Sequence, residues 1–180
     1  MDPEYTVRST VTRTESRLRK AADAVVVLLI SALLVFLLFR FVLVPSDYEK
    51  AEVSELRDGE LVLVDRVSKY FREYELGDMI EFRTDEGVRI LRLAALGGTS
   101  YEVRDGNAYI SGALADESAY GGSWGNRTGL YAEIPEGSVL LLPDSREDVS
   151  DLSACVVPFS SLTGKARLRI MPLDRITLFS

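Results

Sequence analysis

Apolar residues fall along this chain in two patterns that change over near residue 45. Residues 24–39 are an unbroken run of uncharged, mostly aliphatic positions, and the run extends to Val44 with Arg40 as its one charge. A helix that crosses the hydrocarbon core needs roughly 20 apolar residues, and residues 24–44 supply 21. Arg40 lies near the outer end, where a long side chain reaches the headgroups. A cleaved signal peptide has a shorter apolar region, about 7–15 residues, closed by small residues. Here the run ends in Phe39-Arg40-Phe41-Val42-Leu43-Val44-Pro45. The pattern predicts a retained transmembrane helix over residues 24–44, preceded by a mobile or helical tail over residues 1–23.

Past Pro45 the period shortens. β-type runs at residues 61–64, 79–82, 88–93, 108–110 and 139–142 alternate with the turn signals Asp58-Gly59, Gly77-Asp78, Glu86-Gly87, Asp105-Gly106-Asn107 and Pro135-Glu136-Gly137. These spacings suit hairpins and short connections, not β-α-β units. The reading is a mainly β protein, with one antiparallel β domain over residues 45–180 behind a single membrane helix. Residues 115–133 read as a long irregular loop.

Charge and composition add direction and exclusions. Arg8, Arg13, Arg17, Arg19 and Lys20 precede the apolar run, so the positive-inside bias puts the N-terminus in the cytoplasm and the β domain outside the cell membrane. Residues 45–180 carry 24 acidic against 15 basic side chains, a balance of −9, which disfavours nucleic acid. The chain has no histidine, which removes Ser-His-Asp and Cys-His catalysis and the common zinc sites. Asp144, Asp148 and Asp151 lack the spacing of a calcium loop, and no metal or other cofactor is expected. Cys155 stands alone, so the domain is held by packing without an internal disulfide, and the thiol reads as a small buried hydrophobe. Asn126-Arg127-Thr128 fits a glycosylation acceptor, a pattern short enough to arise by chance.

The order of motifs resembles the type I signal peptidases. The residues that carry the resemblance begin with Asp58-Gly59-Glu60-Leu61-Val62-Leu63-Val64-Asp65-Arg66, then Leu76-Gly77-Asp78-Met79-Ile80-Glu81-Phe82 and Arg92. Arg104-Asp105-Gly106-Asn107-Ala108-Tyr109-Ile110-Ser111-Gly112 and Ile134-Pro135-Glu136-Gly137 follow, then Pro143-Asp144-Ser145-Arg146, Gly164-Lys165-Ala166 and Pro172-Leu173-Asp174-Arg175-Ile176. Each alone is ordinary turn and strand chemistry; together, in order and behind an anchor, they identify a scaffold.

The resemblance implies the β fold of that family and a Ser/Lys serine endopeptidase site, in which a serine hydroxyl is activated by a lysine kept neutral by burial. The family's serine lies eight residues ahead of the turn glycine, which is Ala51 in this chain, and its lysine lies one residue before Arg92, which is Leu91. A register fixed on Pro45-Ser46 instead puts Tyr48 at the first position. Glu49 takes the place of a frequent oxyanion-hole hydroxyl, where a carboxylate repels developing negative charge. A displaced dyad would need Lys50 with Ser46 or Ser54, yet an acid-flanked, solvated lysine stays charged.

The resulting expectation is a non-catalytic relative whose cleft is kept for binding. Extended peptides would dock by strand addition along Glu49, Lys50, Ala51, Glu52, Val53, Arg89, Ile90, Leu91 and Arg92, with Leu91 at the floor. Asp144, Ser145 and Arg146 would form a supporting loop. The partners implied by resemblance are the lipid bilayer, segments of exported proteins or pilins, and the sortase machinery of Gram-positive pilus assembly. The competing expectation is an active type I signal peptidase that cleaves exported preproteins.

Overall fold

The computed structural model describes residues 3–37, 43–46, 48–71, 74–118 and 122–179. Two compact units follow one another in the chain, residues 1–41 and residues 42–180. The first is helix α1 (Pro3–Leu37). Its stretch Arg19–Leu37 is long and apolar enough to cross a membrane and buries none of its surface within the protein. Of the tail expected as mobile or helical, residues 3–23 are helical and continuous with that stretch. Of the span expected over residues 24–44, positions 38–42 lie outside the described residues. Leu43 and Val44 belong to the second unit: they form strand β1 (Leu43–Pro45), paired with Asp65 and Val64 of β3 (Leu61–Asp65). A backbone leaving a helix must find new hydrogen-bond partners, and the free side of β3 provides them.

The remaining elements run β2 (Lys50–Ala51), β3, the single-turn helix α2 (Ser68–Phe71), β4 (Met79–Thr84), β5 (Gly87–Leu96), β6 (Thr99–Arg104), β7 (Asn107–Ile110), β8 (Ala113–Leu114) and β9 (Leu130–Ile134). They continue with β10 (Ser138–Leu142), β11 (Val156–Pro158), β12 (Leu162–Met171) and β13 (Thr177–Leu178). Among the described residues they build two sheets. The larger has the order β1-β3-β12-β4-β5-β10-β11, with β13 on β12 and β2 on β5; the smaller is β8-β7-β6-β9. All pairings are antiparallel except β2 on β5. The mainly β, antiparallel class read from the sequence is therefore the class observed.

Local chemistry explains the corners. Asp105 and Gly106 both have positive φ, 48° and 78°, the pair required by the tight turn that joins β6 to β7. Gly164 has a different reason: a Cβ there would run into the Asp65 carbonyl of the adjacent strand, at a register shift where β12 passes from β4 to β3. The glycine of the Gly-Lys-Ala segment is thus a packing requirement.

Three buried clusters fill the domain. Val62, Val64, Met79, Ile90 and Ala166 pack with Val53, Leu56 and Phe179 on one face of the large sheet. Ile80, Phe82, Leu91, Leu93, Leu141 and Leu162 pack on the opposite face. The third joins Tyr101, Val103, Ala132 and Ile134 of the small sheet to Leu140, Leu142 and Leu152. Residue 115–133, expected as irregular throughout, contains β9 from Leu130 and the buried Trp124.

Candidate functional site

β5 is the strand around which the site is built. Along one edge it pairs with β4 over its first six residues; along the other, its first half carries β2 and its second half β10. The parallel match sets Lys50 beside Arg89 and Ala51 beside Ile90. Backbone bonds from Glu49 N–H to the Val88 carbonyl at 2.9 Å and from Glu52 N–H to the Ile90 carbonyl at 3.1 Å extend it. The two segments expected to flank a docked peptide are therefore bonded to each other. A peptide inserted between them would first have to displace β2.

Strand alternation then decides which side chains meet. Ala51 and Ile90 turn to the cluster of Val62, Val64 and Met79, whereas Leu91 is buried in the cluster of Ile80, Phe82 and Leu141. The two positions read from the sequence as vacant nucleophile and vacant base thus lie on opposite faces of the sheet. The face of Leu91 is shared by Lys50, Glu52 and Arg89, and these border a groove of 880 Å³. Beyond them it is closed by the segment from Pro143 to Ser161, Val149 and Cys155 among its lining residues. This volume is within the usual range for a ligand cleft.

Glu52 bridges the two cations beside Leu91. One carboxylate oxygen pairs with Lys50 Nζ at 2.6 Å, and the other accepts from Arg89 Nη2 at 2.8 Å. Burial pushes the Glu52 carboxyl up, but the hydrogen bonds from Lys50 and Arg89 outweigh it, and the net shift is downward. Glu49, the carboxylate singled out in the sequence, lies over Gly87, at which a Cβ would strike its side chain, while Glu52 lines the groove.

The serines and lysine of a displaced dyad each engage a different carboxylate. Ser46 is buried and donates to the buried carboxylate Glu81, which also accepts from Thr163 Oγ1 at 2.6 Å. Ser54 donates through N–H and Oγ to Asp144 Oδ2, at 2.8 and 2.9 Å. Lys50 is 65% exposed in its ion pair with Glu52. Lys165 of the β domain, unlike Lys50, is buried, and it is ion-paired with Asp78.

The expected supporting loop anchors the site from below. Asp144 takes Arg92 in a two-pronged pair, Nε to Oδ1 at 2.7 Å and Nη2 to Oδ2 at 3.0 Å. Arg92 also donates to the Gly77 carbonyl at 2.9 Å and is ion-paired with Glu55. With Asp144 N–H bonded to the Glu52 carbonyl at 2.9 Å, this clasp holds residues 52–55 against β5 and β10. Burial pushes the Asp144 carboxyl up, but Arg92 and Ser54 together hold it below the usual range. Arg146 is fully buried: it pairs with Glu117 at 3.1 Å, donates to the Pro143 carbonyl at 2.7 Å and lies 5.5 Å from the Trp124 ring centre. Glu117 in turn accepts from Tyr101 Oη at 2.9 Å. Ser145 is exposed and lines the groove. Glu117 and Trp124 lie in the stretch read as loop, where a lone acid and a lone Trp carry no periodicity that would mark them.

Cys155 borders the groove, half-buried, with burial first and Asp151 second pushing its thiol up. Such a thiol is a poor nucleophile at neutral pH. Val53 is buried beneath β2, on the side away from the groove. Among the described residues no three acidic or cysteine side chains converge on a metal position.

A mainly β domain thus follows a helix long and apolar enough to cross a membrane, and its groove runs beside β5, whose Arg92 is clasped by Asp144. The chain belongs to the signal peptidase family, peptidase S26, whose model matches residues 20–171. It is 28% identical over 162 residues to "Probable signal peptidase I-1" of Synechocystis sp., covering 82% of each chain. It is 25% identical over 134 residues to "Probable signal peptidase I-2" of the same organism, covering 69% of this chain and 61% of the relative. Among solved structures, a signal peptidase I from Enterococcus faecalis V583 overlaps with a TM-score of 0.41 at 24% identity, covering 52% of this chain and 96% of that one.

Proposed function

We propose that this protein is a membrane-anchored, non-catalytic member of the signal peptidase family whose groove binds extended segments of exported proteins. The observation that carries the reading is the make-up of the Leu91 face: an aliphatic side chain at the position to which the sequence resemblance assigns the base, on the face of a Glu52 carboxylate bridged to Lys50 and Arg89. A serine nucleophile needs a neutral amine within hydrogen-bond reach. Lys50 is instead engaged by the Glu52 carboxylate at 2.6 Å and is widely exposed. An apolar floor with charged walls suits a peptide that buries one or two aliphatic side chains.

In this reading α1 anchors the protein, the basic residues ahead of it stay in the cytoplasm and the groove faces outward. The segments bound belong to exported proteins, pilins among them, and the process served is sortase-dependent pilus assembly in a Gram-positive cell. A second reading is favoured by the relatives, both of which carry the name of a signal peptidase I: here the protein would cleave exported preproteins.

Fluorescently labelled extended peptides with aliphatic side chains, titrated against the detergent-solubilised full-length protein, separate the two. Non-catalytic binding predicts saturable polarisation with intact peptide recovered, and Leu91→Glu weakening it by roughly tenfold, the cost of putting a charge on an apolar floor. Cleaved peptide supports the second reading, and binding unchanged by Leu91→Glu rules out this groove.

A further inference from the structure

A second cleft, of 510 Å³, opens between the end of β4, the single-turn helix α2 and the segment entering β12. Its chemistry runs against that of the domain. Residues 45–180 have a balance of −9, yet this cleft gathers Arg66, Lys69 and Arg83 with the hydroxyls of Thr84, Ser160 and Ser161, and Asp85 is the single carboxylate lining it. The cations are weakly engaged. Arg66 is 4.0 Å from Glu81, whose oxygens already accept from Ser46 and Thr163. Lys69 lies 5.1 Å from the Tyr70 ring centre. Neither Lys69 nor Arg83 has an ion-pair partner among the described residues. Cations gathered round one cleft repel each other until an anion sits between them, and hydroxyl donors beside them fit the oxygens of a phosphate.

The position in the sheet indicates which phosphate. Leu43 follows the last described residue of the apolar helix by six positions in sequence and pairs with Asp65; Arg66 comes next. Arg66 thus follows the end of β3 at which β1 begins. Beside it, α2 leaves Tyr70 and Phe71 exposed, at 76% and 68%. Exposed aromatic rings next to basic side chains are the pairing that a lipid–water interface takes up.

We propose that Arg66, Lys69 and Arg83 form a binding site for the headgroup phosphate of an anionic phospholipid, with Tyr70 and Phe71 seated among the lipids beside it. The proposal rests on α1 being embedded in a bilayer; the cleft adjoins the peptide groove, with Arg83, Thr84, Asp85 and Ser161 lining both. Such a site would fix the rotation of the β domain on the membrane surface, which a single helical tether leaves free.

The test uses full-length protein in nanodiscs doped with phosphatidylglycerol carrying a photoreactive headgroup, with crosslinks mapped by mass spectrometry. Expected are crosslinks concentrated on residues 66–71, 83–84 and 160–161, in excess over an otherwise identical phosphatidylcholine probe. Lys69→Gln and Arg83→Gln should each lower that excess by roughly fivefold, the effect of one basic residue near an anionic surface. Arg104→Gln, a cation on the small sheet paired with Glu102, should leave it unchanged. Equal labelling by the two probes, or labelling indifferent to Lys69→Gln and Arg83→Gln, overturns the site. Labelling abolished by inorganic phosphate without any preference for phosphatidylglycerol identifies a free-phosphate site and overturns the lipid assignment. Circular dichroism of both variants checks folding, and two separate surface substitutions ensure that one misfolded variant leaves the other to decide.

Discussion

Ala51, Glu52 and Leu91 show how much a one-residue step along a strand matters. Residues two apart share a face and neighbours oppose, so Leu91 looks toward Glu52 while Ala51 looks toward Ile90. A chain with Ala51→Ser and Leu91→Lys should therefore remain without turnover of a signal-peptide substrate, because hydroxyl and amine would lie on opposite sides of the sheet. Measured single-turnover cleavage by that double variant would show that β2 shifts register on binding. A second residue-level expectation concerns Asp144, whose side chain is 8% exposed and paired with Arg92. Asp144→Ala leaves a buried guanidinium short of its main partner and should lower unfolding free energy by about 3 kcal/mol at pH 7. The pH sign follows from a carboxyl held below its usual value: the stabilisation is complete above the unfolded pKa of about 3.9 and fades as pH falls through the lower folded pKa. Urea unfolding of both forms should thus show a gap that is constant from pH 5 to pH 7 and narrows below about pH 4. Leu91, Arg92 and Asp144 were legible because motif order located them. Glu52 was named only along with its neighbours, since nothing in Lys50-Ala51-Glu52 says that Lys50 and Glu52 turn toward the groove and Ala51 away from it.

Strands were readable where burial is made of aliphatics and hidden where it is made of ion pairs. Residues 61–64, 79–82, 88–93, 108–110 and 139–142 lie in β3, β4, β5, β7 and β10. β12 escaped, although it is as long as β5, because its buried face includes Lys165 paired with Asp78 and Arg169 paired with Glu60. Buried charges of this kind read as turn or surface until their partners are known. β6 and β9 escaped for the opposite reason: each presents alternate buried positions too few to stand out, Tyr101 and Val103 in one and Ala132 and Ile134 in the other. The parallel pairing of β2 on β5 carries its own expectation. Because Glu49 and Glu52 amides bond to β5 carbonyls, their hydrogen exchange should be slower than that of exposed turn amides by about two orders of magnitude or more. Exchange at both as fast as in the Asp58-Gly59 turn would mean that β2 is detached in solution and that the edge of β5 is open to an incoming strand.

The molecule joins an apolar helix of membrane-crossing length to a β domain of acidic balance. Five basic residues ahead of the apolar run set the expected orientation. Protease added outside intact cells should digest the β domain beyond Pro45 and spare the N-terminal segment; a protected β domain would reverse that orientation. The absence of histidine, the carboxylate bridge at Glu52 and the separate engagements of Ser46, Ser54 and Lys50 all bear on one question. The decisive measurement is incubation of the purified, unmodified full-length protein with a preprotein that bears a signal peptide, with product followed by mass spectrometry. The account predicts no cleavage above the rate in its absence; cleavage that disappears on Ser46→Ala, Ser54→Ala or Lys50→Met would contradict it.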